Sequence, residues 1–488
     1  MKFKRIQKFW KRYKKTIFGI VGIFLFLVLF VGIYNTNKSL PEGTSFEGEV
    51  YYVDEGSVEF LYDLTYLDGA GEKVHEQVIF DRIFDLIDSA EKFILIDMFL
   101  FGADENAYRN LSEELASHLI EKKNSNPEIK INLISDEYNT VYGSYIPPFF
   151  KDLEENGIGV VYTNMNRMRD SNPIYSSFWR VLFYPFGVSS ECKFSFMKFG
   201  GRKVCIRSAL KLLNFKVNHR KLIVADNNEK VVSIVTSANP HDGSSAHSNV
   251  ALIIDEKIWE DIYFSEKSIV DFSKGDFKGY DFEEAYETNS SEVSVQFLTE
   301  MKIKDGLINE LDNTVEGDSI EVMMFYISNR DVVRALLDAS ERGVEVKLVL
   351  DPNKDSFGRE KDGVPNRPVA HELVDKSKGK IQIRWYSTNG EQFHTKMIVV
   401  RKQDGKTIVF IGSSNLTKRN NDDYNLESDV KMVANNNSII IQEIYTYFER
   451  IWNNEGGTYT ADYSTYEDTR FVKNLQYEFQ EFTGLSTF

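Results

Sequence analysis

The stretch NHRKLIVAD (218–226) decides the fold, because a second stretch, FHTKMIVVR (393–401), repeats its pattern. Each copy has a histidine, one intervening residue, a lysine and then an apolar run that is typical of a buried strand. A Ser-x-Asn turn follows each run, within TSAN (236–239) and GSSN (412–415). The spacing from His to Asn is 20 residues in the first copy and 21 in the second. One H-x-K is uninformative, whereas two copies at matched spacing indicate an internal duplication.

Two β-α-β patterns accompany these copies, one within residues 81–136 and one within residues 306–351. Their first strands, FILIDMFLF (93–101) and SIEVMMFYI (319–327), are near-continuous apolar runs. Such runs are expected for strands that helices cover on both faces. The sequence therefore predicts an α/β fold, built from two homologous α-β-α sandwich halves that form a pseudo-twofold arrangement with mixed or parallel sheets.

The domain boundaries follow from changes in composition along the 488 residues, a length that predicts two to three domains. The polar, acidic stretch 271–294 is the natural linker. We predict a basic tail (1–15), a transmembrane helix (16–37), a first half (45–270), the linker (271–294), a second half (295–455) and a C-terminal extension (456–488). The sequence indicates no role for the extension.

The N-terminal segment predicts a membrane anchor. Residues 16–37 carry no charge, and the 18 apolar residues Ile17–Tyr34 would make about 27 Å of helix, close to the hydrocarbon thickness of a bilayer. A cleaved signal peptide is the alternative, which the long apolar run and the lack of an A-x-A-like site disfavour. A buried core helix is disfavoured by the eight Lys and Arg residues within 1–15. The positive-inside rule places this tail in the cytoplasm, so we expect a single-pass protein of the cell membrane with an extracytoplasmic body.

Composition excludes several classes of protein. The net charge of −16 includes that basic tail, so the body is strongly acidic and unsuited to coating nucleic acid by bulk charge. A hydrophobic content of 42% with only 10 Pro argues against a mostly disordered chain. The two cysteines, Cys192 and Cys205, are too few for a disulfide framework, although outside the cytoplasm they could form one disulfide.

The duplicated residues suit chemistry at a phosphodiester. A neutral imidazole is a nucleophile near pH 7, and a second, protonated imidazole is a general acid. Lysine and asparagine side chains donate to the non-bridging phosphate oxygens, where charge gathers in the transition state. The candidate groups are His219, His394, Lys221, Lys396, Asn239 and Asn415. This chemistry needs neither a metal nor a cofactor, and His241 and His247 are better explained as part of a structural or substrate-contacting loop than as metal ligands.

H-x-K-x4-D followed by G-S-x-N, present twice, resembles the signature of the phospholipase D superfamily over roughly residues 50–455. The segments around both motifs are most similar to bacterial membrane-associated members related to cardiolipin synthases. The resemblance implies a ping-pong mechanism through a phosphohistidine. It also implies roles for the residues around the motifs. These are phosphate binding by Ser237, Asn239, Ser413 and Asn415, and motif support by Asp226.

The chain departs from the family pattern at two positions: Arg401 replaces the motif aspartate of the second copy, and Thr236 replaces the first glycine of G-S-x-N. Because that aspartate usually supports structure, we expect activity to persist.

Family members also use an acid to orient the nucleophilic histidine, and Glu427 in DDYNLESD stands in the expected place. The corresponding segment of the first half, SNVALIID, has Ala251 there, with Asp255 as the nearest acid. If the carboxylate supports the histidine of the opposite half, Glu427 serves His219. His219 is then the nucleophile and His394 the general acid.

A basic run and an aromatic stretch suggest the substrate. From Cys192 to Ala225 there are nine Lys or Arg and no acid, and NPIYSSFWRVLFYPFGV (172–188) lies just upstream. Together they suit a surface that enters the lipid headgroup region and holds anionic lipid. The alternative is a buried helix followed by a solvated basic loop.

Three functions remain to be distinguished. The first is a phospholipid-directed phosphatidyltransferase or phospholipase D, with cardiolipin synthesis as one such reaction. The second is a nuclease-type phosphodiesterase, disfavoured by the acidic body and the anchor. The third is a membrane-surface binding protein whose second motif has decayed at Arg401, disfavoured because both His, both Lys and both Asn remain. The acceptor (water, glycerol or a second lipid) and the oligomeric state do not follow from the sequence.

Overall fold

The structure is a computed structural model that describes residues 2–104, 107–188, 195, 197–199, 202–228, 230–280, 292–356 and 359–486. The helices are α1 (Lys2–Asn37), α2 (Ile79–Ser89), α3 (Leu111–Ser125), α4 (Pro148–Glu155), α5 (Pro173–Leu182), α6 (Ile206–Leu212), α7 (Trp259–Ser273), α8 (Met301–Asp312), α9 (Arg330–Glu341), α10 (Asn366–Lys376), α11 (Lys418–Asn421), α12 (Ile439–Trp452) and α13 (Phe471–Thr483).

The strands alternate with these helices along the chain. They are β1 (Glu47–Val53), β2 (Val58–Asp68), β3 (Lys73–Glu76), β4 (Phe93–Met98), β5 (Lys130–Asp136), β6 (Val160–Thr163), β7 (Met197–Phe199), β8 (Arg202–Val204), β9 (Lys221–Asn227), β10 (Lys230–Thr236), β11 (Asn249–Ile254), β12 (Val293–Thr299), β13 (Ser319–Met324), β14 (Glu345–Leu350), β15 (Asp355–Ser356), β16 (Arg359–Glu360), β17 (Gln382–Tyr386), β18 (Lys396–Arg401), β19 (Lys406–Gly412), β20 (Ser428–Asn435), β21 (Gly457–Thr458) and β22 (Thr460–Asp462).

Two large mixed sheets confirm the predicted α/β fold with two similar halves. The first has the order β21-β2-β11-β10-β9-β4-β5-β6, and the second has the order β1-β12-β20-β19-β18-β13-β14-β17-β22. In each sheet a parallel pair from the predicted β-α-β unit lies beside the antiparallel strand that begins with the motif lysine. The strand cores are buried, as their continuous apolar sequences require.

The hydrophobic core explains how the halves join. Helices α2, α3 and α4 cover one face of the first sheet, and α8, α9 and α10 cover one face of the second. The other faces contribute to a single shared cluster that also includes apolar side chains of α7 and α12. The two sheets therefore pack around a common core, which brings the ends of β9 and β18 together.

Three strands reach across the predicted domain boundaries. β1, which lies in the predicted first half, pairs with β12 in the second sheet. In the C-terminal extension, β21 pairs with β2 of the first sheet, and β22 pairs with β17 of the second. The boundaries themselves stay predictions.

Helix α1 contains a stretch, Phe9–Asn37, that is long and apolar enough to cross a membrane. Only 11% of its most apolar window is buried, so it is not a core helix. Its C-terminal part packs against α5, where a Cβ on Gly32 would lie 3.3 Å from the Cβ of Ser177. The Asp170 amide donates to the Asn35 carbonyl at 3.1 Å. Together with the domain similarity reported below, this helix supports membrane association.

Candidate active site

The two histidine motifs meet where the two halves face each other. The His219 amide donates to the carbonyl of Leu426 at 2.8 Å, and the His394 amide donates to the carbonyl of Ser248 at 2.9 Å. Each histidine is therefore held by the backbone of the opposite half. Both imidazoles are buried, at 8% and 6% exposure, so a shared site is built only when the halves pack.

The motif lysines are fully inside the protein and point back toward their own histidines. Lys221 Nζ donates to the His219 carbonyl at 2.6 Å, and Lys396 Nζ donates to the His394 carbonyl at 2.7 Å. An ammonium group has three donors, so each lysine retains donors for a ligand. The two halves thus present the same cationic arrangement to a common centre.

Two phenylalanines that the sequence analysis did not single out complete this symmetry. The ring centroid of Phe99 lies 4.9 Å from that of His219, and Phe325 lies 5.0 Å from His394. The same rings lie 5.2 and 5.3 Å from the ammonium groups of the motif lysines of their own halves. Each ring stabilises the neighbouring lysine and fills one side of the imidazole. Their sequence signal was the aromatic residue at the matching place in FILIDMFLF and SIEVMMFYI.

Glu427 lies beside the histidine of the opposite half. A carboxylate oxygen is 3.0 Å from His219 Nδ1, and Ser413 Oγ donates to the carboxylate at 2.5 Å. The Asn420 amide also donates to it. The contact to Nδ1 leaves Nε2 of His219 as the nitrogen directed to chemistry.

His394 has a different partner. Its Nδ1 lies 3.2 Å from the amide oxygen of Asn249, to which Ser237 Oγ donates, also at 3.2 Å. Asn249 is thus the counterpart of Glu427, and the assignment of Ala251 to that position was wrong by two residues. The reason is structural, because β11 begins at Asn249 whereas β20 begins one residue after Glu427. Asp255 instead pairs with Lys230 at the surface, 3.0 Å away.

The two Ser-x-Asn turns place equivalent amides near the motifs. Asn239 and Asn415 are both buried. Within the described part of the chain, the Oδ1 atom of each has no hydrogen-bond partner. A buried polar atom of this kind requires a partner, so both amides suit contact with a polar ligand.

Burial and mutual repulsion control the charges of the site. Burial, together with Lys221 and Lys396, lowers the pKa of His219 and of His394. Burial also lowers the pKa of Lys221 to about 7, and lowers that of Lys396 through the added repulsion of Lys221. Burial raises the pKa of Glu427 to about 8. Two buried ammonium groups that repel each other favour the binding of an anionic ligand. Such a ligand would raise the pKa of both lysines again and keep them positively charged.

The motif aspartate and its replacement lie far from this centre. Asp226 accepts from the backbone amides of Glu91, Lys92 and Phe93 at 3.0, 2.9 and 2.7 Å, which fixes the start of β4. Arg401 stacks on Tyr445, with its guanidinium 4.1 Å from the ring centroid. Each residue is five positions beyond its motif lysine, about 16 Å along an extended strand.

One pair of acids, whose role the sequence did not indicate to us, positions the segments that carry the two histidine motifs. The Asn218 amide donates to Asp136 at 2.7 Å, and the Phe393 amide donates to Asp351 at 2.8 Å. Asp136 is the last residue of β5 in LISD, and Asp351 directly follows β14 in LVLD, so each acid lies at the end of the second strand of a β-α-β unit. The equivalent positions of these two aspartates in the two β-α-β units were the sequence signal that could have identified them.

Two lysines near the end of the basic run pair with acids instead of forming a free cationic surface, whereas Lys198 and Lys203 are exposed. Lys216 pairs with Asp170 at 2.8 Å, and Lys211 pairs with Glu137. Both acids lie before the run in the sequence and neutralise these two lysines in the folded protein, and Lys216 is a buried cation that requires such a counterion. The predicted headgroup surface and the solvated-loop alternative are therefore both wrong for these two lysines. Cys205 is in a disulfide, and Cys192 lies outside the described residues.

Arg220, between His219 and Lys221, is also buried in ion pairs. Its guanidinium lies 2.8 Å from Glu266 and 2.7 Å from Glu300. The same oxygen of Glu300 accepts from the Glu427 amide at 3.0 Å. This network ties the first motif to the segment that carries Glu427.

The aromatic stretch has an apolar face directed outward. Ile174 and Phe186 are exposed, whereas Trp179 is buried against the body. The alternative of a buried helix is therefore wrong for α5, and an exposed apolar helix beside α1 fits a lipid environment.

The loop histidines belong to the surroundings of the site. The Gln392 amide donates to His247 Nδ1 at 3.2 Å, and the His247 ring lies 5.9 Å from that of His394. His241 packs against Gly102, where an added Cβ would lie 2.8 Å from its ring. Over the residues that the structure covers, no group of three or more His, Cys, Asp or Glu is placed to hold a metal ion.

Part of the chain matches a family model, and one of the solved structures below supports the fold. Residues 307–452 match the family model described as cardiolipin synthase, PLD-like domain. The crystal structure of phosphatidylserine synthase from Haemophilus influenzae is similar with a TM-score of 0.58 and 11% identity, covering 94% of this chain and 98% of that one. Nuc from Salmonella typhimurium, a phospholipase D family member, gives a TM-score of 0.26 and 24% identity over 34% of this chain and 98% of its own. No curated protein matches the chain in sequence.

Proposed function

We propose, given that this chain is a member of the phospholipase D superfamily, that it is a membrane-bound phosphatidyltransferase acting on phospholipids through a phosphohistidine. One observation carries the assignment of roles: His219 contacts a carboxylate, whereas His394 contacts an amide. A nucleophilic imidazole gains positive charge when it bonds to phosphorus, and a carboxylate at Nδ1 stabilises that charge. An amide oxygen gives weaker support, which suits a residue that only exchanges a proton.

In the first step, His219 Nε2 attacks the phosphorus of the lipid phosphodiester. The bond from phosphorus to the headgroup oxygen breaks, and His394 gives its proton to the departing alcohol. The bound phosphodiester anion favours the protonated form of His394, offsetting the burial that lowers its pKa. The phosphatidyl group is then bonded to His219, and His394 is neutral.

In the second step, His394 removes the proton from an incoming hydroxyl group. That oxygen attacks phosphorus, and the bond to His219 breaks, which restores both imidazoles. With phosphatidylglycerol as donor, glycerol leaves in the first step. A hydroxyl of a second phosphatidylglycerol attacks in the next, so the product is cardiolipin. Water as acceptor would give phosphatidic acid.

The remaining groups bind the phosphate. Lys221 and Lys396 each keep ammonium donors after contacting a backbone carbonyl, and in this proposal those donors bind the non-bridging oxygens. Asn239 and Asn415 provide side-chain amides from the two Ser-x-Asn turns. Ser237 and Ser413 act indirectly, because their hydroxyls donate to Asn249 and Glu427.

The lipid class is supported by the family model and by α1, which would confine the site to a bilayer surface. We also propose that the tail 1–15 is cytoplasmic and the body extracytoplasmic. Protease added to intact spheroplasts should degrade the body, and a body that stays protected would contradict this orientation.

The reaction is tested with the purified full chain, labelled phosphatidylglycerol and labelled single-stranded DNA in parallel. We expect labelled cardiolipin and glycerol, with the activity lost in His219→Ala. His118→Ala is the control, because that histidine is half-buried on α3, where it contacts Asp88 and belongs to neither motif. Phosphatidic acid alone would identify a hydrolase, and DNA cleavage with inert lipid would refute the proposal.

A further inference from the structure

The C-terminal helix α13 has an unusual distribution of apolar side chains. Phe471 is 77% exposed and Phe482 is 84% exposed. Val472, Leu475 and Phe479 are exposed with them. These positions recur on one side of a helix, and a surface helix normally turns such a side toward the core. Glu478 is the charged side chain that interrupts this face.

The opposite side of α13 is already bound to the body. Tyr477 is buried and contacts Arg330. Glu481 accepts from Ser328 Oγ at 2.9 Å and from the Lys418 amide at 3.1 Å. The helix is therefore fixed through this side, and its apolar face is directed outward.

The end of α13 lies where α1 meets the body. A Cβ on Gly484 would be 2.1 Å from the Ser171 carbonyl oxygen, so this contact requires glycine. The adjacent Asp170 donates its amide to the Asn35 carbonyl, near the end of α1. Ser171 also immediately precedes the segment that begins α5. These contacts place the C-terminal end of α13 beside the junction of α1 and α5.

We propose that α13 is an interfacial helix that lies in the lipid bilayer surface and seats the body on the membrane beside α1. The bilayer is the occupant that fits this position, because the body attaches to α1 at the point where α13 ends. The face is apolar rather than cationic, so its lipid contact should depend on buried apolar area and little on salt. The inference rests on the proposed function only in taking α1 as the membrane anchor.

Binding of α13 to the bilayer would also affect the candidate active site. Lys418, whose amide α13 holds through Glu481, follows the second Ser-x-Asn turn. Asn420, two residues further, donates to Glu427. A helix fixed in the bilayer would therefore hold the turn that carries Asn415 and the residue that supports Glu427.

The test uses the full chain in phosphatidylglycerol-containing nanodiscs with a nitroxide label at single introduced cysteines. Phe479→Cys and Phe482→Cys report on α13, and the unmodified chain is the labelling blank. Phe26→Cys in α1 is the positive control, and Ile439→Cys is the matched negative control, because Ile439 is equally apolar and 67% exposed on α12. Collision rates with oxygen and with a water-soluble nickel chelate are compared.

We expect both α13 labels to favour oxygen over the chelate at least fivefold more than the Ile439→Cys label, unchanged between low and high salt. Labels that behave like Ile439→Cys would overturn the proposal. Protection from both reagents with spin–spin broadening would also overturn it, since a second copy of the chain would then cover the face. Chelate access at Phe26→Cys would refute the anchor of the proposed function, whereas the labels need no turnover and so test α13 separately.

Discussion

Replacement of Glu427 tests the division of roles between the two histidines. Glu427→Gln keeps the shape of the side chain but removes the negative charge beside His219 Nδ1, 3.0 Å away. Asn249→Ala is the corresponding change in the other half, since the amide oxygen of Asn249 lies 3.2 Å from Nδ1 of His394. If His219 is the nucleophile, the two changes have unequal effects on the first chemical step.

The magnitudes follow from the negative charge lost in Glu427→Gln and from the hydrogen bond lost in Asn249→Ala. A hydrogen bond to a charged group contributes about 1.5–3 kcal/mol, so loss of the charge corresponds to a step that is up to about 12- to 160-fold slower. The neutral bond from Asn249 contributes about 0.5–1.5 kcal/mol, or about 2- to 12-fold. Glu427→Gln should therefore slow formation of the phosphohistidine more than Asn249→Ala does.

The assay is a single-turnover quench with labelled phosphatidylglycerol, followed by mapping of the labelled peptide. The label should appear on the peptide that contains His219, and its rate of appearance should show the unequal effects. An equal or larger effect of Asn249→Ala would refute the assigned roles, as would a label on His394.

Further predictions concern pH and the two motif ends. Burial raises the pKa of Glu427 to about 8 and lowers the pKa of Lys221 to about 7. With increasing pH, kcat/KM should therefore rise as Glu427 loses its proton and fall as Lys221 loses its positive charge. The pH profile should be a bell near pH 7.5, about midway between these values, and Lys221→Arg should lose the alkaline limb because arginine stays charged. Asp226→Ala leaves backbone donors without an acceptor and should lower the unfolding free energy by about 3 kcal/mol or more, measured by thermal unfolding. Arg401→Ala loses mainly its stacking and should cost about 0.5–2 kcal/mol. Arg401→Asp should change turnover by no more than about twofold, since the position is remote from the site; a larger loss would contradict the structural role of this position.

The sequence predicted much of the site because its chemistry is carried by duplicated residue types. The two H-x-K motifs and the Ser-x-Asn turns follow buried strands in both halves, so a local pattern was sufficient to find them. The partner of His394 was missed for a physical reason. Asn249 reaches Nδ1 only because β11 begins at that residue, and strand starts cannot be located to one or two positions from composition.

Charge along the basic run could not be interpreted from the sequence either. Lys216 meets Asp170, which is 46 residues away, and Arg220 meets Glu300, which is 80 residues away. Folding therefore converts cations that look free into buried ion pairs. The aromatic stretch does expose apolar side chains beside α1, as predicted. This exposure does not depend on the charge of the neighbouring basic run.

The sequence by itself determined the α/β fold, the duplicated motifs and the apolar N-terminal helix, since each depends on periodicity or spacing along the chain. Only the tertiary structure decided the asymmetry of the site. Glu427 and Asn249 each act on the opposite half, so their roles exist only once both sheets share one core. The same holds for α13, whose polar side binds the body through distant residues and thereby leaves its apolar face outward.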